Sequence, residues 1–227
     1  MNRSYDLIMF DLDGTLIETA PEIADAVNDT LRRFDLPPVT QDQVDRWIGY
    51  GTLELLIQAL AFANLTSVSV VRSSNTLPLI ASEFNKYYER RCGTRSKPYP
   101  FVMMTLAQLR AQGVKMAVIT NKEARFTQTV LKVHNMHSLF DRVISGDSLP
   151  SKKPDPEGIF KCLHQFEVTK SRALFVGDSV IDVATARNAG VAVWALDYGY
   201  NMGEPIENAR PDRVLQDMQP LFQQEKV

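Results

Sequence analysis

Short apolar runs rich in β-branched residues recur along the chain, and stretches of helical periodicity separate the later ones. The runs are Leu7–Phe10, Val114–Ile119, Arg142–Ile144, Ala173–Val176 and Val191–Ala195. Strands that alternate with helices in this way are joined by crossovers and lie parallel in one sheet. The pattern therefore predicts an α/β protein with three layers, a parallel sheet between two layers of helices.

Two of the predicted helices carry clear end signals. Asp155 can cap a helix that has Pro156 at its first position. Apolar residues then follow at the spacing of one helix face, namely Ile159, Cys162, Leu163 and Phe166. Another helix is predicted after Asp178, and Gly190 is a natural terminator for it. Both helices fall between predicted strands, as the alternating pattern requires.

One interval is too long for a simple crossover. More than a hundred positions separate Asp11 from Thr120, whereas a strand-helix-strand unit needs about 30 residues. The excess must fold as a unit of its own. We expect a core formed by residues 1–15 and 97–227, with a helical cap domain inserted over residues 16–96.

Helix signals fill most of this insertion. Thr19–Glu22 and Thr40–Gln43 match the capping box, in which a threonine and the residue three positions later cap the same helix start. The second segment is predicted to break at Gly49–Gly51, and a third helix follows the break. A fourth helix is predicted over Leu79–Arg91, and the polar stretch Thr66–Thr76 is predicted to be a loop.

Composition and charge narrow the possible functions. The chain of 227 residues is 44% hydrophobic and 23% charged, with a net charge of −2, as in ordinary globular proteins. No long basic block indicates nucleic acid or an anionic membrane surface. The early run Leu7–Phe10 is too short to span a bilayer and lacks a signal-peptide pattern, so we expect a cytoplasmic protein. Cys92 and Cys162 lack metal-ligand spacing, and we expect both to be reduced.

Polar residues follow the apolar runs where each predicted strand ends. They are Asp11, Asp13, Thr120, Asn121, Lys122, Lys153, Asp178 and Asp182. Ligands of open parallel sheets bind beyond the carboxyl ends of the strands, so these side chains are expected to face one site. Clustered carboxylates repel one another unless a cation neutralises them. Hard oxygen ligands suit Mg²⁺, which also leaves room for a substrate phosphate.

Four of these segments resemble a known set of motifs. Asp11–Leu16, Thr120, Lys153 and Gly177–Asp182 are similar, in this order, to the motifs of the haloacid dehalogenase superfamily of phosphatases. The helical insertion resembles the type 1 cap of that superfamily. Within the superfamily, the chain resembles the bacterial phosphoglycolate phosphatases over nearly its whole length. The resemblance implies a Rossmann-like core and a phosphomonoesterase.

The resemblance also implies a role for each motif residue. Asp11 would be the nucleophile that forms an aspartyl-phosphate, and Asp13 would be the general acid and base. The implied Mg²⁺ ligands are the carboxylates of Asp11 and Asp178 and the backbone carbonyl of Asp13, supported by Asp182. The implied phosphate-binding residues are Thr120, Asn121 and Lys153. Gly14 would supply the backbone freedom that aims both acids at one point.

Alternative interpretations remain at this stage. An isolated Asp-x-Asp-Gly sequence is commonly a turn, and Asp182 could be only a helix-start acid. The same core could serve a phosphatase or phosphomutase of sugar phosphates instead of one that hydrolyses a small ester such as 2-phosphoglycolate. A signalling receiver module also collects acids and a lysine at strand ends, but it needs only about 120 residues and no cap.

A few residues of the insertion are candidates for substrate selection. The loop with Gly49 and Gly51 is expected to face the active site, and the eligible partners for a substrate carboxylate are Arg32, Arg33 and Arg46. Similar phosphatases commonly have Tyr-Pro-Gly-Val where this chain has Tyr99–Val102, so Phe101 replaces a glycine near the cap junction. We expect Tyr88 to belong to the cap core.

Overall fold

The computed structural model describes residues 5–222 and contains a six-stranded parallel sheet. The strands in chain order are β1 Leu7–Phe10, β2 Ile17–Glu18, β3 Lys97–Pro98, β4 Lys115–Ile119, β5 Arg142–Ile144, β6 Ala173–Gly177, β7 Ala192–Leu196 and β8 Arg213–Leu215. The sheet order is β5-β4-β1-β6-β7-β8, and β2 pairs antiparallel with β3. The five predicted strands are confirmed to within one residue at each end, whereas β2, β3 and β8 were not predicted.

Helices cover both faces of the sheet, which confirms the predicted three layers. The helices are α1 Ala20–Arg33, α2 Gln41–Asp45, α3 Thr52–Ala63, α4 Val68–Arg72, α5 Leu77–Arg91, α6 Val102–Ala111, α7 Ala124–Val133, α8 Glu157–Phe166 and α9 Val180–Ala189. Residues of β1 alternate between two buried clusters. Ile8 and Phe10 pack with α6 and α7, and Leu7 and Met9 pack with α8 and α9. This double burial explains why the sequence of β1 is continuously apolar.

The insertion between β2 and β3 is helical, from α1 to α5. The antiparallel pair of β2 and β3 lies where the chain leaves the core and returns to it. The expected loop at Thr66–Thr76 is wrong, because it contains α4, whose start is capped by the Ser67 hydroxyl. The division of the chain into residues 1–15 and 97–227 as core and 16–96 as cap stays a prediction. Within the described residues, no helix is long and apolar enough to cross a membrane.

The start of α1 differs from the predicted capping box. Thr19 makes no side-chain capping hydrogen bond; its hydroxyl donates to Asp13 Oδ1 at 2.7 Å instead. The Tyr200 hydroxyl, far away in sequence, accepts hydrogen bonds from the backbone N–H groups of Thr19 and Ala20, each at 3.0 Å. The second predicted box, at Thr40, is confirmed with both of its hydrogen bonds. A capping box is predicted from residues that are close in sequence. At α1, hydrogen bonds to Tyr200, which is distant in sequence, take the place of the predicted box.

Phe101 adopts the conformation that favours glycine. Its φ is 65°, in the left-handed region where most residues other than glycine are strained. Phe101 is 46% exposed, so the replacement of a glycine by a bulky ring is accommodated at the surface. Tyr99 on the same turn stacks on Tyr198 with ring centroids 4.2 Å apart, which holds this junction to the core.

The carboxylate of Glu22 ties α1 to the segment that leads into β3. It is fully buried, and its Oε2 accepts hydrogen bonds from the backbone N–H groups of Gly93, Arg95 and Ser96 at 2.9, 3.2 and 3.0 Å. We expect Glu22→Ala to lower the free energy of unfolding by about 3 kcal/mol, because buried donors lose a charged acceptor. Urea denaturation measures the change. Glu89→Ala, an exposed position on α5, is the matched control, and equal effects of the two variants would contradict this role.

Candidate active site

Three buried carboxylates meet at the carboxyl ends of β1 and β6. Asp11 follows β1, Asp178 follows β6, and Asp182 lies in the first turn of α9; one oxygen of each lies within 4.8 Å of the others. Asp178 is fixed by the Thr15 hydroxyl, which donates to Oδ1 at 2.6 Å, and by the Tyr200 N–H, which donates to Oδ2 at 2.9 Å. The adjacent strands β1 and β6 thus bring together acids that are far apart in sequence.

Gly14 allows this approach of the two strand ends. Its φ is 87°, and a Cβ at this position would lie 2.4 Å from Asp178 Oδ2. Any side chain here would therefore displace an acid of the cluster. The expectation that this glycine provides backbone freedom is confirmed.

Lys153 supplies the positive charge at the cluster. Its Nζ lies 2.7 Å from Asp11 Oδ1 and 2.6 Å from Asp182 Oδ1. Asn121 fixes the lysine backbone, because its Oδ1 accepts from the Lys153 N–H at 2.9 Å and its Nδ2 donates to the Lys153 carbonyl at 3.1 Å. The Asn121 Nδ2 also donates to the carbonyl of Gly49 at 2.9 Å. Its side-chain amide therefore positions the site and connects it to the insertion.

Asp182 has two structural partners besides Lys153. It forms a capping box with Ser179 at the start of α9, and its Oδ2 accepts from the Ser179 hydroxyl at 2.7 Å and from the Asp178 N–H at 3.2 Å. The helix-start interpretation of Asp182 is therefore correct, and the same carboxylate also holds the lysine. Asp182 therefore holds both Lys153 and Asp178, which lie next to Asp11, in position.

Asp13 lies on the other side of Asp11 and pairs with a second lysine. Lys122 Nζ lies 2.9 and 3.0 Å from the two carboxylate oxygens of Asp13. It also donates to the hydroxyl of Tyr88 on α5 and lies over the Tyr88 ring. Sequence reasoning placed Lys122 among the strand-end residues but gave it no role. The sequence did contain a signal for this ion pair. Lys122 comes two positions after Thr120, in the turn that follows a buried strand, and a lysine in such a place needs a counter-ion.

Tyr88 has a wider role than the cap-core position that we expected. It is fully buried, and it packs on Phe84 of its own helix and on Phe126 of α7. Its ring therefore joins the insertion to the core, while its hydroxyl reaches Lys122. The sequence pattern of α5 predicts the burial but not this partner.

A narrow cavity lies between the core and the insertion. The core side is formed by Asp11, Asp13, Thr120, Asn121 and Lys122. The insertion contributes Gly49 and Gly51, as expected, and the apolar side chains of Ile23, Ile48 and Leu55. The cavity volume is about 30 Å³, enough for about one water molecule. The described structure is therefore a closed form, in which the insertion covers the carboxylates.

The three arginines that could have met a substrate carboxylate do not line this cavity. Arg32 and Arg33 lie in the last turn of α1, and Arg32 pairs with Asp29 at the surface. Arg46 follows α2 and is exposed. Among the described residues that line the cavity, Lys122 is the cationic one.

Burial and repulsion from neighbouring acids make Asp11 and Asp178 unusually weak acids. Burial raises the pKa of Asp11 to about 7 and outweighs the opposing effect of Lys153, while Asp182 and Asp13 add smaller increases. Burial, together with Asp182 and Asp11, holds the pKa of Asp178 well above its usual range. Burial acts to lower the pKa of Lys153, but its two carboxylate partners raise it. The lysine stays charged, and among the described residues its ammonium lies beside a cluster of three acidic side chains.

These observations fit a divalent cation. Asp11 Oδ1 is buried, and among the described residues it receives no well-aligned hydrogen bond in spite of the nearby ammonium. Asp178 offers a second buried carboxylate within ligand distance of the same point. Oxygen donors from a few carboxylates are the typical protein ligands of Mg²⁺ and similar hard cations. Asp11 and Asp178 could therefore hold such an ion, with Asp182 behind them.

Comparison with known proteins identifies the class. The family model "Haloacid dehalogenase-like hydrolase" matches residues 8–196. The chain belongs to this family, and it is a phosphoric monoester hydrolase that acts on small-molecule phosphate esters.

Individual relatives resemble the chain over nearly its whole length. The phosphoglycolate phosphatase of Haemophilus influenzae (strain 86-028NP) is 38% identical, and the match covers 98% of this chain and 99% of that protein. The phosphoglycolate phosphatase of Vibrio cholerae serotype O1 is 37% identical, with 97% of each chain covered. The crystal structure of a predicted phosphoglycolate phosphatase from Haemophilus somnus 129PT superposes with a TM-score of 0.90 at 34% identity, covering 96% of this chain and 97% of that one. The resemblance inferred from the motifs is confirmed.

The raised pKa of Asp11 predicts how the cation-free protein responds to pH. An unfolded aspartate has a pKa of about 3.9, whereas that of folded Asp11 is about 7. Between these values the folded protein holds a proton that the unfolded chain has released, so stability falls as pH rises. We expect urea midpoints in chelator to fall from about pH 5 to about pH 7.5, and to fall less in Asp11→Asn. Equal slopes for the two proteins would contradict the raised pKa.

Proposed function

We propose that this enzyme hydrolyses 2-phosphoglycolate to glycolate and phosphate, with Mg²⁺ and an aspartyl-phosphate on Asp11. The observation that carries the proposal is the position of Asp11. It lies at the centre of the site, beside Lys153 and Asp178, and it lines the cavity that the insertion covers. A carboxylate with a cation on one side and open space on the other is placed to act as a nucleophile.

The proposed Mg²⁺ ligands are the carboxylates of Asp11 and Asp178 and the backbone carbonyl of Asp13, supported by Asp182. When bound, the ion would neutralise negative charge on the phosphoryl oxygens and on the acids around it. A carboxylate oxygen of Asp11 attacks phosphorus, and the bond between phosphorus and the ester oxygen breaks. Water then attacks phosphorus, which releases phosphate and restores the carboxylate.

Asp13 moves the protons of both steps. It would donate a proton to the departing alkoxide and later accept one from the attacking water. Its carboxylate is held by Thr19 at 2.7 Å and by Lys122 at 2.9 Å, on the side of Asp11 that faces the insertion. This placement supports contact with the leaving alcohol rather than with the phosphoryl oxygens.

The proposed phosphate contacts come from Thr120, Asn121 and Lys153. Because the Asn121 side chain is occupied by Lys153 and Gly49, its backbone N–H is the donor that we assign to phosphate. Lys153 would neutralise phosphate charge as a compact cation. Thr120 lies at the end of β4 with its hydroxyl 3.3 Å from the Lys122 N–H, which donates to it, so the threonine hydroxyl hydrogen is available to an oxygen of the substrate.

The lining of the cavity and the relatives together support a small substrate. The closed cavity has an apolar roof of Ile23, Ile48 and Leu55, which suits a two-carbon ester better than a polyhydroxylated sugar. Phosphoglycolate phosphatases among the relatives are similar over almost the full length. A phosphatase or phosphomutase of sugar phosphates is the alternative. A cytoplasmic location and the oligomeric state, monomer or homodimer, stay predictions.

The nucleophile assignment predicts a large loss in Asp11→Asn. An amide cannot attack phosphorus, so kcat for phosphate release should fall by about 10⁶-fold, the scale seen when a nucleophile is removed. Chelator should abolish turnover of the wild type, and added Mg²⁺ should restore it. The matched control is Asp197→Asn, which changes an acid outside the cavity lining. Undiminished turnover by Asp11→Asn, or indifference to chelator, would contradict the mechanism.

The substrate assignment predicts a preference among phosphate esters. We expect kcat/KM for 2-phosphoglycolate to exceed that for glucose 6-phosphate and other hexose phosphates by more than tenfold, which corresponds to about 1.4 kcal/mol of transition-state stabilisation. Steady-state phosphate release with Mg²⁺ measures the ratio. A hexose phosphate that is turned over with the higher kcat/KM would favour the alternative function.

A further inference from the structure

Lys122 is a buried cation that the phosphoryl-transfer steps leave without an assignment. Its side chain is 1% exposed, and its ammonium lies at the cavity between Asp13 of the core and Tyr88 of the insertion. A lysine is seldom buried in this way without a charged partner. Lys122 lies beside Asp13, the residue proposed to contact the leaving alcohol, so its ammonium is close enough to contact the same part of the substrate.

We propose that Lys122 binds the carboxylate of the substrate and thereby selects phosphate esters that carry an anionic group next to the ester oxygen. The inference rests on the proposed function, because it concerns the leaving group of that reaction. In 2-phosphoglycolate, one methylene separates the ester oxygen from the carboxylate carbon. An ester oxygen in contact with Asp13 therefore places the carboxylate within reach of an ammonium 2.9 Å from the same aspartate.

The hydrogen-bonding capacity of Lys122 allows such a contact. An ammonium has three N–H donors, and in the closed form they face the two oxygens of Asp13 and the Tyr88 hydroxyl. Two donors are thus directed at a single carboxylate. When one oxygen of Asp13 turns to the ester oxygen, one donor becomes available, and the substrate carboxylate is an acceptor of matching charge.

Other cations near the site are placed differently. Lys152 comes close to Gly51, but it is exposed and does not line the cavity. Lys153 is held between Asp11 and Asp182 at 2.7 and 2.6 Å, on the phosphoryl side of the nucleophile. The three candidate arginines of the insertion lie outside the cavity lining. An anionic leaving group that enters the cavity without Lys122 would lose its hydration and gain no counter-ion, which is costly in a buried site. Charge complementarity therefore favours Lys122 as the partner of the carboxylate.

Tyr88 fixes the ammonium from the insertion side. Its ring is packed between Phe84 and Phe126, so its hydroxyl is a rigid acceptor for Lys122. It is a positioning residue, and it ties selection of the leaving group to closure of the insertion. Tyr88→Phe keeps the packing and removes the hydroxyl.

The test compares a carboxylate-bearing ester with a neutral one in the Mg²⁺-loaded enzyme. For Lys122→Met we expect the ratio of kcat/KM for 2-phosphoglycolate to that for ethyl phosphate to fall by about 30- to 100-fold, the scale of a hydrogen bond between charged groups. Tyr88→Phe should lower the same ratio by about threefold to tenfold. Lys132→Met, which removes an exposed lysine from α7, should leave the ratio unchanged. Equal losses on both esters would show that Lys122 only positions Asp13 and would overturn the proposal.

A binding measurement separates this inference from the proposed function. Calorimetry with 3-phosphonopropionate and propylphosphonate, which have no ester bond to break, should show at least about tenfold tighter binding of the carboxylate compound to the wild type. Lys122→Met should bind the two equally, whereas an unchanged preference would overturn the inference. If Lys122→Met does not fold, the same binding comparison in Tyr88→Phe tests the inference, and an unchanged preference for the carboxylate compound would overturn it. If the wild type does not prefer 2-phosphoglycolate over hexose phosphates, the proposed function is contradicted. The calorimetric comparison then tests the role of Lys122 independently of that function.

Discussion

The ion pair of Lys153 with Asp11 and Asp182 is the interaction on which the site depends. One buried ammonium lies 2.7 and 2.6 Å from two carboxylates, while Asp178 is buried beside them. Removing such groups from water is costly unless their charges are compensated, and one cation compensates three acids only in part. Burial raises the pKa values of Asp11 and Asp178, and repulsion from the neighbouring acids adds to the rise. The three buried carboxylates beside a single ammonium suit the divalent cation that we propose for this site.

The turn after β4 connects this charged centre to the insertion. Three consecutive residues of this turn each contact a different part of the insertion. Asn121 donates a hydrogen bond to the Gly49 carbonyl, and Lys122 donates one to the Tyr88 hydroxyl. Glu123 accepts a hydrogen bond from the Thr52 hydroxyl at 2.7 Å. All three contacts lie at the cavity wall. Movement of the insertion would break them together, so access to the cavity and the arrangement of the groups around Asp13 are coupled through one short turn.

The core and the motif residues could be predicted from sequence because the signals are local and strong. A strand buried on both faces, such as β1, has a continuous apolar sequence, and acids that follow it stand out. The features that were missed depend on distant partners. Thr19 lacks its predicted capping role because Tyr200 accepts from the start of α1 and Asp13 draws the threonine hydroxyl. Lys122 could be seen as a strand-end residue, but its partner Tyr88 comes from another part of the chain.

The two buried lysines differ in a way that suits two different tasks. Lys153 is held by one carboxylate at the end of β1 and by another in the first turn of α9, and the Asn121 side chain fixes its backbone on both sides. It therefore cannot leave without exposing two charges. Lys122 has one carboxylate partner and one neutral hydroxyl, and a second anion can share it at lower cost. A fixed cation suits the phosphoryl group, which every substrate of this enzyme class carries. A cation that can exchange partners suits the leaving group, which is where substrates differ.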